Sequence, residues 1–233
     1  PPDDNMKTEH GTIVTLKQLT ITRRPSRSQF SKSMARRFLL HQRTHDFRIF
    51  IEDEPLSESE ELENVEYIFP RDYNPDERPD GIKIEGQWGV QKLENEREIR
   101  WRIVFYKNPI EEEELRGVSV FSRGKLAQNP FFFNLSGGLG GQHGQSYMSG
   151  QVEADYIDEM DEDIIATERQ RINWEHSETS SLDEWGQKTI KQLLRIWRDR
   201  RGEKRRHQIE EKIAAFSSRM SKLPQHEQRT VKR

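Results

Sequence analysis

The sequence predicts an α+β fold, with a mixed or antiparallel sheet followed by a long helical segment. Up to residue 157, stretches rich in β-branched residues alternate apolar and polar side chains, which is the pattern of half-buried strands. From Ser181 onward the apolar residues recur with the period of a helix. Strands first and a long helix last are typical of an α+β domain.

The first predicted strand spans residues 11–22, where apolar and polar side chains alternate. Pro25, within a cluster of Ser and Arg, ends it. Residues 33–40 have apolar side chains at helical spacing and predict a short helix. Residues 47–51 predict a second strand, which runs into residues 52–64. That last segment is either a polar loop or a helix with one weak apolar stripe.

Further strands are predicted over residues 82–90, 99–106, 117–121 and 151–157. The segment 99–106 has the strongest β composition of these. Residues 134–150 are rich in Gly and Ser and predict a mobile loop, whereas residues 158–163 predict an acidic turn.

The C-terminal segment predicts a long helix. Its apolar stripe consists of Leu182, Trp185, Ile190, Leu193, Leu194 and Trp197. Ser180 or Ser181 is the expected N-cap, because a Ser hydroxyl accepts hydrogen bonds from the first free amides of a helix. The pattern continues to about Met220, with Gly202 as a position where the helix could break.

The composition limits the class of protein. Apolar residues make up 31% and charged residues 34%, so we expect a small core and a large charged periphery. No apolar run approaches the ~18 residues of a membrane span. The absence of Cys excludes disulfides, thiolate zinc sites and Cys nucleophiles. We expect a cytoplasmic protein of bacterial type. Because the sequence begins without Met, we also expect it to be a fragment.

Charge is strongly segregated along the chain. Residues 52–66 contain eight acids and no base, whereas residues 186–233 contain 15 Lys or Arg against five acids. Dense basic residues on a helix predict contact with nucleic acid or an acidic partner. The candidates are Arg198, Arg201, Lys204 and Arg205. The alternative is a solvated helix face balanced by acids elsewhere.

No motif in the chain predicts a self-contained active site. His41 and His45 are four residues apart, but the further ligands of a zinc site are missing, so no metal is predicted. The Gly-rich run 137–144 lacks the Lys-Ser/Thr of a P-loop, and a flexible loop is the favoured interpretation. No Gly-x-Ser-x-Gly sequence occurs either.

Three parts of the chain together resemble one superfamily. Residues 10–19, followed by 35–39, resemble the MutL-type stretch in which a Gly-Thr strand ends the ATP-binding domain and an Ala-Arg-x-x-Phe-Leu helix opens the next. Residues 116–126 resemble a hairpin of MORC-like ATPases. Residues 150–157 with 163–174 resemble the last transducer strand and the switch loop. The superfamily is GHKL, which includes gyrase B, the heat-shock-90 chaperones, histidine kinases and MutL.

The resemblance is greatest to bacterial stand-alone ATPases of the MORC and heat-shock-chaperone type, and it implies a domain organisation. Residues 1–24 would hold the last strand of the ATP-binding domain, residues 25–180 the transducer domain, and residues 181–233 a basic helical segment. In this family the catalytic Glu and the Mg-binding Asn precede the Gly-Thr strand. The parent protein would therefore bind ATP and Mg, whereas this chain alone would bind neither and would not hydrolyse ATP.

The resemblance also implies site residues. In MutL- and MORC-like proteins a Lys on the loop after the last transducer strand senses the γ-phosphate. At the matching position this sequence has Arg169-Gln170, with Arg171 as the near alternative. Thr12 is the matching candidate for an adenine contact. The competing interpretations are a surface Arg paired with a neighbouring Glu, and a Thr chosen for strand propensity.

The function implied by the resemblance is that of a transducer. It would sense ATP held by the N-terminal domain of the same parent and couple it to conformational change or to homodimer formation, in nucleic-acid handling or bacterial defence. The alternative is a non-enzymatic scaffold that binds nucleic acid or an acidic partner through its basic C-terminal helices. A third hypothesis, client binding at Phe131–Phe133, competes with a buried core at the end of a strand.

Overall fold

The computed structural model confirms the α+β class, with a mixed sheet followed by a long helix. The residues that it describes are 15, 17, 26, 27, 30, 49–55, 64–111, 113–135, 143–160, 162–166 and 170–221. The predicted strand at 11–22, the predicted helix at 33–40 and the His41/His45 pair lie essentially outside them.

The strands are β1 (Phe50–Ile51), β2 (Glu54–Pro55), β3 (Val65–Phe69), β4 (Lys83–Glu85), β5 (Trp88–Lys92), β6 (Glu98–Tyr106), β7 (Gly117–Ser122), β8 (Lys125–Phe131) and β9 (Met148–Glu153). Strands β1 and β2 pair only with each other within the described residues. The other seven form one sheet in the order β4-β5-β6-β9-β7-β8, and β3 pairs with β6 on the edge that β5 also uses. Each pairing is antiparallel except that of β7 with β9, which is parallel.

Two predicted strands have different bounds in the structure. The segment 82–90 is divided between β4 and β5, because Gly86 makes the turn with a φ of 64°. The strand predicted at 151–157 begins earlier, at Met148, and is followed by a 3-10 helix over Asp155–Glu159. Met148, Ser149 and Gly150 pair with Phe105, Val104 and Ile103 of β6, and Gly150 permits this approach because a Cβ there would lie 2.9 Å from Ile103 Cγ1. The end of the predicted mobile loop is therefore part of the sheet.

Helix α1 runs without interruption over Ser180–Ser221, so the break considered near Gly202 does not occur. A short 3-10 helix, Ser177–Thr179, leads into it. The predicted cap at Ser180 or Ser181 is wrong, because helix α1 already includes both residues and the Ser180 hydroxyl donates to the Ser177 carbonyl at 2.8 Å. His176 caps the preceding 3-10 helix, because its Nδ1 accepts the Glu178 amide at 3.3 Å.

The core lies between one face of the sheet and the first half of helix α1. Alternate residues of β6, Ile99 to Phe105, point into it and are almost completely buried. Trp185 meets the Trp101 ring edge to face at 5.6 Å, and Trp197 stacks on Phe105 at the same distance. Removing these large apolar surfaces from water is the main stabilising contribution of the helix.

The opposite face of the sheet is polar around Trp88. Arg100 and Arg102 both lie against the Trp88 ring, with 4.6 and 4.8 Å between each guanidinium carbon and the ring centre. Arg102 also donates hydrogen bonds to Gln87 and to Gln151, at 3.2 and 3.1 Å. The period-2 alternation of β6 therefore places Arg100 and Arg102 on the face opposite Ile99, Trp101 and Ile103.

Two glycines of helix α1 have opposite environments. At Gly186 an added Cβ would lie 2.3 Å from atoms of the buried Phe133 ring, so only a glycine lets the helix approach the sheet at this point. At Gly202 an added Cβ would have no neighbour within 4 Å. Gly186 is thus required by packing, whereas Gly202 is not.

Candidate functional site: the hairpin after β9

The chain that follows β9 folds back on itself in a small hairpin. Ile165 and Ile172 form an isolated antiparallel bridge. The Ala166 amide donates to the Arg171 carbonyl, and the Asn173 amide donates to the Ile164 carbonyl, both at 2.9 Å. Since Ile164, Ile165 and Ile172 are all buried, their side chains fix the base of the hairpin in the core. Its tip, residues 167–169, lies outside the described residues.

Gln128 on β8 attaches this hairpin to the sheet. Its side-chain Oε1 accepts the Ile172 amide at 3.0 Å and the Trp174 indole Nε1 at 3.2 Å. Gln128 is buried, so the two bonds are shielded from competing water. Next to it, the Asn129 amide donates to the Gln170 carbonyl at 2.9 Å. The C-terminal arm of the hairpin is therefore held to β8 from Gln170 to Trp174.

An aromatic cluster continues from the hairpin to helix α1. The Trp174 ring lies 4.9 Å from Phe131 and 5.6 Å from Phe133, between ring centres. Phe133 in turn meets Trp185 of the helix at 6.1 Å and fills the space left by Gly186. A displacement of the hairpin base would therefore shift Trp174, Phe133 and Trp185 in turn, and so change the packing of helix α1.

A cleft of about 510 Å³ lies beside the hairpin. Ser119, Gln151 and Gln170 contribute polar groups to it, and the strand register places Ser119 and Gln151 on the sheet face opposite helix α1. None of the described lining residues is Lys or Arg. The cleft can form hydrogen bonds, but a phosphate held there would need cations from elsewhere.

The site residues predicted by the resemblance are only partly within the described residues. Thr12 and Arg169 lie outside them. Arg171 lies within them, on the hairpin arm that Gln128 attaches to β8, and it is exposed. No carboxylate of the described residues forms an ion pair with Arg171. The structure therefore gives the loop a fixed base, while the role of Arg169 stays a prediction.

Two of the four basic helix residues predicted to contact nucleic acid or a partner have an acidic partner within the chain. The Glu66 carboxylate on β3 lies 2.8 Å from Arg201 Nε and 3.3 Å from Lys204 Nζ, and it also accepts the Trp197 indole at 3.2 Å. The side chains of Glu66 and Arg201 are only 10% and 18% exposed. This pair holds helix α1 against the edge of the sheet.

Arg201 and Lys204 make further contacts beside their ion pairs with Glu66. The Arg201 guanidinium lies 4.5 Å from the Trp197 ring centre and 4.6 Å from that of Tyr147, and it donates to the Lys107 carbonyl at 2.5 Å. A hydrogen bond with Tyr67, opposed by partial desolvation and reinforced by Glu66, raises the pKa of Lys204 above its ordinary value. Both cations that join helix α1 to β3, Arg201 and Lys204, therefore have partners within the chain.

Arg198 and Arg205 are the other two predicted contact residues, and both are exposed. Arg198 lies 3.9 Å from Asp199, a distance at which an exposed pair contributes little. Arg205 makes no ion pair within the described part of the chain. Contact of these two side chains with nucleic acid or a partner stays a prediction.

Comparison with known proteins gives no relative from which a function could be transferred. No protein-family model, no curated protein and no solved structure matches the chain. Among the described residues, no helix is long and apolar enough to cross a membrane. The same residues contain no group of three His, Cys, Asp or Glu side chains that could hold a metal ion.

Proposed function

We propose that the chain is the transducer part of a GHKL-type ATPase. It senses ATP held by an ATP-binding domain of the same parent protein and couples it to a conformational change or to dimerisation. The observation that carries the proposal is the attachment of the hairpin after β9 to the sheet by Gln128. The residues that resemble the family's switch loop are those of this hairpin.

The chemistry of the proposal depends on the Arg residues of the hairpin. The γ-phosphate of ATP is a concentrated negative charge that is lost on hydrolysis, and a cation supplied by a second domain can respond to that loss. A guanidinium suits this role because it can donate two parallel hydrogen bonds to a phosphate. Arg171 is exposed, so its guanidinium is accessible to a phosphate held by another domain.

The packing around the hairpin supports coupling as well as sensing. A loop that was attached only at its ends would move without consequence for the rest of the domain. Here its base is bonded to β8 through Gln128, and Trp174 packs on Phe131 and Phe133. A shift of the Arg residues toward a phosphate would therefore act on the core and on helix α1.

The direct test is ATP turnover by the full-length protein that includes the proposed ATP-binding domain. We expect turnover to fall by about a hundredfold or more in Arg169→Ala, since one charged contact to a reacting phosphate is lost. Arg171→Ala would show the loss instead if that residue is the sensor. Arg123→Ala is the matched control, because Arg123 is an exposed Arg that lies 3.4 Å from Glu159 on another turn. The chain by itself should not turn over ATP.

Three outcomes of the turnover assay would count against the proposal. Full turnover in both hairpin variants would show that neither Arg169 nor Arg171 senses the phosphate. Equal loss in Arg123→Ala would show a general effect of removing charge. A full-length protein that neither binds nor hydrolyses ATP would exclude the ATPase and leave the nucleic-acid scaffold as the alternative.

Gln128→Leu tests the attachment of the hairpin. The substitution leaves the Ile172 amide and the Trp174 indole without their acceptor, and we expect kcat of the full-length ATPase to fall by about tenfold or more while KM stays unchanged. Gln91→Leu is the matched control, because Gln91 Oε1 accepts the Trp101 indole at 2.8 Å at the other end of the sheet. Steady-state kinetics of both variants, with urea unfolding to compare their stability, separates the two effects. Similar kinetics in the two variants would contradict a positioning role for Gln128.

A further inference from the structure

The second half of helix α1 has an apolar face that nothing in the described chain covers. Every residue from Glu203 to Arg219 is exposed. Ile209, Ile213 and Phe216 are 56%, 60% and 58% exposed, respectively. Their spacing of four and then three residues is that of a coiled-coil seam, and Met220 continues it in the sequence. We call Ile209, Ile213 and Phe216 the seam.

The seam lies on the side of the helix away from the sheet. At 100° per residue, its centre is about 170° around the helix axis from the stripe centred on Leu193, which packs into the core. The seam therefore does not continue the intrachain packing surface. A second helix could lie along it while the sheet stays on the outer side of the pair.

The charges that flank the seam specify a partner. With Ile213 and Met220 at a positions and Ile209 and Phe216 at d positions, the g positions are Arg198, Arg205, Lys212 and Arg219, all basic. The e positions of the same heptads are Glu203, Glu210 and Ser217. In a parallel pair each g residue faces the e residue five positions further along the partner helix. Arg205 then faces Glu210 of the second copy.

We infer that helix α1 pairs with a second copy of itself in a parallel, in-register, two-stranded coiled coil through this seam. An antiparallel pair would set basic g positions against basic g positions and acidic e positions against acidic ones, which is repulsive. Arg206 occupies the a position that precedes Ile209, so the apolar seam ends there toward the N-terminus. A charged residue at an a position lowers the stability of a coiled coil. This inference stands apart from the proposed ATPase, because the seam does not involve the hairpin and needs no nucleotide.

The first test is the oligomeric state of the chain at micromolar concentration, measured by sedimentation equilibrium without nucleotide. We expect a dimer, and we expect Ile213→Asp to give a monomer, since a charge is then buried in the seam. Ala215→Asp is the matched control, at a c position on the same turns but outside the seam, and it should stay dimeric. Both variants should keep the circular dichroism of the folded domain, because residues 213 and 215 contact no core residue of the described chain.

The charge pairing is tested by exchange. Arg205→Glu alone should raise the dimer dissociation constant by about tenfold, and so should Glu210→Arg, because each places like charges opposite one another. The double variant with both substitutions restores opposite charges in the parallel pair and should recover dimerisation. Failure of the double variant to recover would overturn the assigned pairing.

The direction of the pair is tested by disulfide formation, because the chain has no Cys of its own. Ile209→Cys places one thiol at a d position, off the centre of the seam, where it meets its own equivalent only in a parallel, in-register pair. We expect rapid crosslinking on mild oxidation, with no crosslink for Ala215→Cys. A monomeric chain, a dimer unaffected by Ile213→Asp, or a dimer in which Ile209→Cys forms no crosslink would each overturn the inference. So would a chain that is monomeric and binds duplex DNA through Arg205.

Discussion

Replacing Glu66 by Ala is expected to lower the free energy of unfolding by about 3 kcal/mol. Three donors of helix α1 lose the Glu66 carboxylate as an acceptor at once: the Arg201 guanidinium, the Trp197 indole and the Lys204 ammonium. Arg201 and Trp197 are largely buried, so water cannot fully replace the carboxylate. A charge that is desolvated and left without its partner is costly.

Urea unfolding at neutral pH measures the effect of Glu66→Ala, with Glu66→Gln and Glu85→Ala as comparisons. Gln keeps an oxygen acceptor for the Trp197 indole and should lose less. Glu85 forms an exposed pair with Lys83 at 2.7 Å, and its removal should leave stability unchanged within error, because exposed pairs contribute little. If Glu66→Ala were as harmless as Glu85→Ala, the junction of helix and sheet would not depend on this carboxylate.

Gly186→Ala is expected to lower the free energy of unfolding by about 2 kcal/mol, although Ala is the better helix former. Helix propensity alone favours Ala by about 1 kcal/mol. The added Cβ, however, would lie 2.3 Å from the Phe133 ring, which is completely buried. Phe133 cannot easily withdraw, because its ring is packed between Trp174 and Trp185. Overpacking of this kind typically costs about 1–3 kcal/mol and here outweighs propensity.

Gly202→Ala in the same helix provides the matched control. No atom lies within 4 Å of the added Cβ, so only propensity acts, and stability should rise by about 1 kcal/mol. Thermal unfolding of the two variants beside the unaltered chain tests the difference in sign. A stabilising Gly186→Ala would mean that helix α1 does not approach the sheet as closely as described.

The elements that the sequence predicted well are those whose burial follows one period. Alternation over 99–106 identified β6, and the stripe from Leu182 to Trp197 identified the packed half of helix α1. In both cases a single face is buried, so the spacing of the apolar side chains identifies the residues that pack in the core. The continuity of the helix through Gly202 was harder to predict, because a lone Gly weakens a helix by only about 1 kcal/mol.

The elements that were missed have ambiguous local patterns. Strand β3 follows an acidic run, and Glu66 of β3 continues that run in the sequence. Its cationic partners, Arg201 and Lys204, lie 135 or more residues further along the chain, so no local pattern reveals them. Strand β8 contains Pro130, which is rare inside sheets but is tolerated at an edge such as this one. The alternation in Val65–Phe69, with two aromatic residues, was the available signal for β3.

For the candidate site, the resemblance indicated the loop but not what holds it. Residues 163–174 carry the resemblance, whereas Gln128 carries none, because a Gln in a strand gives no signal of which distant amide it will accept. The basic residues of the helix were identified as a group. Only the structure separates Arg201 and Lys204, which meet Glu66, from Arg198 and Arg205, which are exposed.

The order of elements along the chain has a consequence for biosynthesis. The seven strands of the sheet are translated before helix α1, which contributes Leu182, Trp185, Ile190, Leu193, Ile196 and Trp197 to the core. Some 40 residues separate the end of β9 from Trp197, so the nascent chain would expose Trp101 and Phe105 for on the order of seconds. A message truncated before the codon for Leu182 would yield a product that aggregates rather than a smaller stable domain.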